Sequence, residues 1–172
     1  LSPEYGISPD CNYDLSLLRW GCQTLIWTTD RLKIKDPLLP KWKEILANLT
    51  DYPQNENGYM IGKGVPFKHS HRHYSHLFMA YPLHIVDTDD PEMAKLVDKS
   101  VRHWHSLKGG LQGYSFSGGA SLYATLGWGN DAYEMLNGLK RFIRPNTLYK
   151  ETFPVIETPM SGAASIHDML LQ

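Results

Sequence analysis

Apolar side chains recur at helical spacing along the chain, and this periodicity constrains the fold more than any other feature. One predicted helical face carries Leu15, Leu18, Cys22, Leu25 and Ile26, which follow a period of about 3.6 residues. No run of residues shows the sustained apolar–polar alternation that marks a half-buried strand. The sequence therefore predicts an all-α fold.

Residues that favour helix starts and stops place further helices along the chain. Asp36-Pro37 precedes one apolar stripe, and Asp90-Pro91 opens another that ends at Gly109-Gly110. Further helices are predicted to start near His73, to cover 121–126, to begin at Asn130 and to begin near Ala163. Residues 51–70 are rich in Gly, Asn and Pro and indicate a long loop. Helices joined by such loops favour an α/α toroid over a four-helix bundle, whose connections are shorter.

Composition and charge exclude two classes of partner. The 172 residues include 17 Lys+Arg and 18 Asp+Glu, so the formal net charge is −1. A nucleic-acid-binding protein needs a basic field to displace counterions, and this chain has none. No apolar run approaches the roughly 20 residues that span a bilayer. We therefore expect neither nucleic-acid binding nor membrane insertion.

The aromatic content is high, with five Trp, ten Tyr and five Phe. Aromatic faces with polar edges suit sugar rings, whose C–H faces stack while their hydroxyls form hydrogen bonds. A large aromatic core explains the same composition. Composition alone leaves both interpretations open.

Two glutamates occur in unusual local sequences. Pro3 holds the backbone extended before Glu4, and Glu157 follows an apolar pair and precedes Pro159 by two residues. Glycoside hydrolysis needs one carboxyl to protonate the leaving oxygen and a second group to activate water. In inverting enzymes the two carboxyls are about 6.5–9.5 Å apart. We take Glu4 and Glu157 as the candidate pair, with a solvated loop glutamate as the alternative for each.

Residues 68–77 contain four histidines, namely His69, His71, His73 and His76. A helix starting near His73 would place His73 and His76 on one face. One interpretation is a zinc site, since imidazole binds Zn²⁺, although a fixed cation at Arg72 disfavours a dication beside it. The other is a set of donors and acceptors for sugar hydroxyls, with Arg72 as a rigid multiple donor. The second interpretation predicts no metal and no cofactor.

Together these segments resemble glycoside hydrolase family 95, the inverting α-L-fucosidases and α-L-galactosidases. Residues 71–77 are similar to the family's His-Arg-His-x-Ser-His-Leu signature, which is the specific part of the resemblance. Further segments match in order, among them Ser2-Pro3-Glu4 for Ser-Pro-Glu, Gly113-Tyr114-Ser115 for Gly-Trp-Ser, and the closing Met-Leu-Leu-Gln. The resemblance runs nearly end to end.

The resemblance implies an (α/α)6 toroid, with residues 1–172 as a partial catalytic domain that supplies roughly its second half and is truncated at both ends. The remainder of the same polypeptide would complete the domain. The implied substrate is an oligosaccharide or glycan that loses a terminal α-L-fucosyl or α-L-galactosyl residue with inversion. The family's work on external glycans implies a secreted or periplasmic location.

The resemblance also implies roles for individual residues. Glu4 would be the general acid, and the sugar would be bound by Arg72 and His73, with Ser8 as a further binding residue. His71 and His76, which belong to the same histidine-rich segment, are added as binding residues from the hydroxyl-binding interpretation of that segment. Glu157 lies where the family has an Asp within Asp-Gly-Asn-Phe-Gly, an Asp that polarises a pair of asparagines that orient the attacking water. That pair is expected upstream of Leu1. The alternative function is a non-catalytic carbohydrate-binding toroid with a lost or altered base.

Overall fold

A computed structural model describes residues 5–145, 149–151 and 154–171 of the protein. Within these ranges the chain is predominantly helical, which confirms the all-α prediction. The elements are α1 (Asn12–Arg31), α2 (Leu39–Asn48), β1 (Gln54–Asn55), β2 (Gly58–Tyr59), a 3-10 turn (Ser75–Leu77), α3 (Pro91–Ser106), α4 (Gly113–Thr125), α5 (Gly129–Leu139), a 3-10 turn (Lys140–Phe142) and α6 (Glu157–Leu170). None of the helices in the described ranges is both long and apolar enough to cross a membrane.

The chain divides into two compact units. The first unit contains the chain up to Pro66 together with Ser75–Ile85, and the second contains Phe67–Tyr74 together with the chain from Val86 onward. In the first unit, α1 packs against α2 and against the 3-10 turn at Ser75–Leu77. In the second unit, α4 packs against both α5 and α6.

A buried asparagine at the start of α1 orders the long loop of the first unit. The Asn12 side chain donates hydrogen bonds to the carbonyl oxygens of Pro53 (2.9 Å) and Met60 (2.7 Å). Strands β1 and β2 pair antiparallel between these two points, with Gln54 opposite Tyr59. The predicted loop is therefore correct in outline, but it contains a short hairpin, and the residues on either side of that hairpin are hydrogen-bonded to Asn12 of α1.

Helix α1 forms as predicted, but its buried face differs from the predicted one. Its buried residues are Asn12, Leu15, Ser16, Cys22 and Thr29. Leu18 and Leu25, both predicted to be buried, are 49% and 43% exposed. Polar side chains can occupy a buried face when they are hydrogen-bonded, as Ser16 is to the Asn12 carbonyl oxygen (2.6 Å). Apolar periodicity alone therefore misplaced the buried face by part of a turn.

Helix α3 begins and packs as its sequence predicts. The Asp90 carboxylate accepts a hydrogen bond from the backbone N–H of Glu92 (2.8 Å), and Pro91 occupies the first helical position. Val97, Val101 and Trp104 are fully buried. The local signals and the tertiary packing agree here.

Helices α4 and α6 pack through small residues and a set of serine hydroxyls. Ser117 and Ser161 share a hydrogen bond of 2.7 Å between their Oγ atoms, and the Ser121 hydroxyl donates to Ser165 Oγ (2.9 Å). The Ser165 hydroxyl in turn donates to the Ser117 carbonyl oxygen (2.8 Å). Small side chains let the two backbones approach, and the hydroxyls satisfy one another inside the contact.

Several predicted helix boundaries are wrong by a turn or more. Helix α4 begins at Gly113 and not near 121, and α6 begins at Glu157 and not near Ala163. Glycine and serine have low intrinsic helix propensity, but tertiary packing of these helices outweighs it. Pro159 lies in the first turn of α6, where its missing N–H removes no helical hydrogen bond.

Two predicted caps also differ from the structure. Asn130 lies inside the first turn of α5, whose preceding residue is Trp128. The Asp36 carboxylate does accept a backbone bond, from Leu38 N–H (2.8 Å), but α2 begins only at Leu39. In both cases the predicted start is displaced by two residues, which is within the usual uncertainty of a helix terminus.

The helix predicted to start near His73 does not form; the described chain has only the 3-10 turn at Ser75–Leu77 there. The carbonyl oxygen of His71 accepts a hydrogen bond from Trp104 Nε1 (2.7 Å), and that of Arg72 accepts one from Ser115 Oγ (3.0 Å). The Arg72 carbonyl, which would accept the first backbone bond of a helix starting at His73, is therefore bonded to a distant side chain. His73 and His76 do not share a helix face.

Candidate functional site

The His71-Arg72-His73 segment lies in the second unit, where its backbone is fixed by contacts to α3 and to the start of α4. Trp104, which is fully buried on α3, binds the His71 carbonyl, and Ser115 of α4 binds the Arg72 carbonyl. The amide of Gly110 donates to Ser70 Oγ (2.8 Å) just before the segment. Side chains at 71–73 thus project from a backbone that is held on both sides.

His73 contacts the side chains of both Arg72 and His71. Arg72 Nε donates a hydrogen bond to His73 Nε2 (3.1 Å), and the His73 amide donates to His71 Nδ1 (3.1 Å). The two imidazole rings are 5.0 Å apart between centroids. A guanidinium and two imidazoles offer several donors and acceptors within a small area.

The aromatic ring of Tyr114, at the start of α4, lies beside these groups. Its ring meets His73 edge to face (5.8 Å, 87°) and stacks on Tyr74 (5.5 Å, 23°). Tyr74 is buried and also contacts the ring of Trp104 (5.3 Å). A side chain at Gly118 would overlap the Tyr74 ring, so glycine is required there. An aromatic ring next to a cluster of polar donors is a surface that suits a sugar ring.

Sequence reasoning did not identify Tyr114 as a site residue, although it quoted Gly113-Tyr114-Ser115 as part of a motif. A local signal was present in the residues around it. Ser115 Oγ accepts a hydrogen bond from the Gln112 amide (3.1 Å), and the Ser115 amide donates to the Gln112 carbonyl oxygen (2.9 Å), so α4 starts at this tripeptide. A helix predicted to start at Gly113 would have placed the Tyr114 side chain in its first turn, next to the helix N-terminus.

Two carboxylates lie at the start of α6 or just before it. Glu157 is the first residue of α6, and its exposed carboxylate accepts a hydrogen bond from the Ile156 amide (3.1 Å). Glu151 is half-buried, and its Oε1 accepts bonds from the Gly113 amide (2.9 Å) and from Thr158 Oγ1 (2.6 Å). Both carboxylates are placed where helix N-termini favour negative charge. Sequence reasoning missed Glu151 for two reasons. Its partner Gly113 is distant along the chain, and its partner Thr158 was not recognised as part of α6, because that helix was predicted to begin near Ala163.

The imidazole of His105 packs against the first turn of α4. His105 Nε2 lies 3.1 Å from the Ser115 carbonyl oxygen, and its ring meets Phe116 edge to face (5.4 Å). Burial, with a smaller contribution from the Arg141 charge, lowers the pKa of His105 to about 4, despite the opposing effect of the Ser115 hydrogen bond. His105 therefore stays uncharged at neutral pH and serves packing.

The structure brings some of the predicted site residues together and leaves others apart or undescribed. His71, Arg72 and His73 form one cluster in the second unit, which also contains Glu157. Ser8 and His76 belong to the first unit, and both are buried. The Ser8 hydroxyl donates to the Pro9 carbonyl oxygen (3.2 Å).

The predicted general acid, Glu4, lies outside the described residues. Its distance from Glu157 therefore stays a prediction. No group of three or more His, Cys, Asp or Glu side chains within the described ranges is arranged to hold a metal ion. The two cysteines, Cys11 and Cys22, are buried free thiols.

A family model described as the glycosyl hydrolase family 95 catalytic domain matches residues 2–170 of this chain. No curated protein sequence matches it.

Proposed function

Because this chain belongs to glycosyl hydrolase family 95, we propose that it forms part of an enzyme that removes terminal α-L-fucosyl or α-L-galactosyl residues with inversion. Membership of the family's catalytic domain implies glycoside hydrolase activity. The observation that carries the finer proposal is the contact of Arg72, His73 and Tyr114, which combines hydroxyl-binding groups with an aromatic ring. The implied substrate is an oligosaccharide or glycan.

In this proposal the polar cluster binds the sugar. The Arg72 guanidinium donates to ring hydroxyls, and His73 and His71 donate or accept according to their tautomers. Tyr114 supports the sugar through its ring edge or face. Ser8 and His76 are retained as proposed binding residues. No metal or cofactor is assigned a role.

The chemistry is proposed to use two carboxyl groups on opposite sides of the scissile bond. Water attacks the anomeric carbon while the bond to the glycosidic oxygen breaks, and Glu4 gives its proton to that oxygen. Glu157 helps to activate the water and receives its proton directly or through the groups that orient it. The sugar leaves with inverted configuration, and this geometry requires about 6.5–9.5 Å between the carboxyls.

The setting of the reaction is part of the same proposal. Residues 1–172 supply part of an (α/α)6 catalytic domain that the remainder of the polypeptide completes, and the helical character of the described chain is consistent with this fold. A secreted or periplasmic location would place the enzyme with external glycans.

The test uses the full-length protein and aryl α-L-fucosides and α-L-galactosides with good and poor leaving groups. Proton NMR of the first product should show the inverted anomer. Glu4→Gln should lower kcat by about 10²–10⁴-fold for poor leaving groups and less for good ones, because only poor leaving groups depend on protonation. Glu134→Gln, at an exposed position of α5, is the matched control and should leave kcat unchanged.

Three outcomes would contradict parts of this proposal. Unchanged turnover in the Glu4→Gln variant would remove Glu4 from the general-acid role. A retained anomer would exclude the inverting mechanism. Binding of L-fucose or L-galactose without turnover of any glycoside would favour the alternative, a non-catalytic carbohydrate-binding toroid.

A further inference from the structure

We propose that Glu151 is a positioning residue that fastens the start of α4 to the start of α6 and so fixes Tyr114 and Glu157 relative to each other. The inference rests on the proposed function, because it concerns residues assigned to sugar binding and water activation there. Glu151 itself is given no contact with substrate.

One carboxylate oxygen joins the two helices. Glu151 Oε1 accepts a hydrogen bond from the amide of Gly113, the first residue of α4, at 2.9 Å. The same atom accepts one from the hydroxyl of Thr158, the second residue of α6, at 2.6 Å. The first amides of a helix have no partner within the helix, so this carboxylate satisfies one of those of α4. Bonds to an ionised acceptor are also stronger than those between neutral groups.

The three groups are packed in direct contact. A side chain at Gly113 would overlap the Thr158 methyl group and would come within 2.8 Å of Glu151 Oε1. Thr158 is 2% exposed. Because no space separates these groups, a displacement of one of them moves the others.

The fastened residues are chain neighbours of the proposed site residues. Tyr114 follows Gly113, and its ring meets His73 at 5.8 Å. Glu157 precedes Thr158 at the start of α6. The two residues that the Glu151 carboxylate binds, Gly113 and Thr158, are thus the chain neighbours of Tyr114 and Glu157. Two helix N-termini carry partial positive charge, which favours a carboxylate over a neutral side chain at this point.

The experiment compares four variants of the full-length protein on an aryl α-L-glycoside. Glu151→Ala removes the acceptor, and Thr158→Val removes one donor at nearly constant volume. We expect kcat to fall about 10- to 100-fold in both, with a smaller change in KM, because misplaced groups cost most at the reacting geometry. Thr158→Ser keeps the hydroxyl and should retain kcat within about threefold. Glu134→Ala, at an exposed position of α5, is the surface control.

A second measurement reports positioning without activity. Amide hydrogen exchange at Gly113, Tyr114 and Ser115 should be faster in Glu151→Ala and in Thr158→Val, and unchanged in Thr158→Ser. Circular dichroism shows whether each variant is folded, and Thr158→Val carries the test where Glu151→Ala does not fold. Wild-type kcat in both disruptive variants, or equal kcat in Thr158→Val and Thr158→Ser, would overturn the inference.

The exchange measurement also separates the two proposals. If the wild-type protein hydrolyses no glycoside, the proposed function fails while exchange at the start of α4 still tests the fastening. Unchanged exchange in both disruptive variants would then overturn the positioning role on its own.

Discussion

The buried imidazole of His105 links a single residue to the pH dependence of stability. Its pKa is lowered to about 4 in the folded protein, chiefly by burial, and returns to the ordinary value of 6.5 in the unfolded chain. The unfolded state therefore binds a proton at higher pH than the folded state does. The stability that neutral His105 contributes is complete above pH 6.5 and is lost as the pH falls towards 4, by at most about 3 kcal/mol.

Urea unfolding of the full-length protein at pH 7, 6, 5 and 4.5 measures this effect. His105→Gln removes the titration and should flatten the decline of the unfolding free energy between pH 6.5 and 4.5. His167→Gln, at an exposed position of α6, should keep the wild-type slope. Parallel curves for wild type and His105→Gln would show that another group causes the acid sensitivity.

Residues of the candidate site differ in how far the sequence could predict them. Arg72 and His73 belong to an unusual local cluster, so composition alone drew attention to them. Tyr114 and Glu151 do not, because their importance comes from contacts with residues far along the chain. The Ser115–Arg72 bond spans 43 residues, and the Gly113–Glu151 bond spans 38. No local pattern contains this information.

At the scale of elements, α4 shows where propensity and packing disagree. Its sequence is rich in glycine and serine, which weaken an isolated helix, and the prediction recovered only its last turn. In the structure nearly every residue of α4 is buried, and it packs against both α5 and α6. The small residues that lower its propensity are the ones that permit this close packing. The helix therefore depends on tertiary contacts that periodicity does not report.

Gly118 gives this dependence a test. Gly118→Ala should destabilise the protein by about 1–3 kcal/mol, because the added methyl group overlaps the buried ring of Tyr74 and forces it to move. Gly21→Ala, inside α1, is the matched control, since an added methyl group there meets nothing within 4 Å. Removal of a helical glycine should stabilise the control by about 0.5–1 kcal/mol. Urea unfolding checks both, and equal effects of the two variants would contradict the steric argument.

At the scale of the whole molecule, the histidine-rich segment is divided between the two compact units. His71 and His73 belong to the second unit, and His76 belongs to the first. The sequence suggested one short helix that would carry His73 and His76 together. That helix does not form, and the Arg72 carbonyl that would accept its first backbone bond is bonded to Ser115 of α4. Proximity in sequence therefore grouped these histidines in one motif, but it did not predict that His76 belongs to a different unit from His71 and His73.

The same geometry bears on the zinc interpretation of the histidines. His73 Nε2 accepts a hydrogen bond from Arg72 Nε, so a metal ion at this nitrogen would have to displace the guanidinium. His71 Nδ1 is likewise engaged, by the His73 amide. A cation next to a dication is also electrostatically unfavourable. These contacts weigh against a metal ion at His73 Nε2 or at His71 Nδ1.

Chelation of the full-length protein tests this preference. Prolonged dialysis against EDTA and dipicolinate should leave kcat and the melting temperature within error of the untreated protein, because carboxyl, imidazole and guanidinium groups alone carry the proposed roles. Elemental analysis should find zinc well below one equivalent. A zinc hydrolase treated in parallel controls for complete chelation. Loss of activity that added Zn²⁺ restores would contradict the carboxyl mechanism and would make His71 and His73 the first ligands to examine.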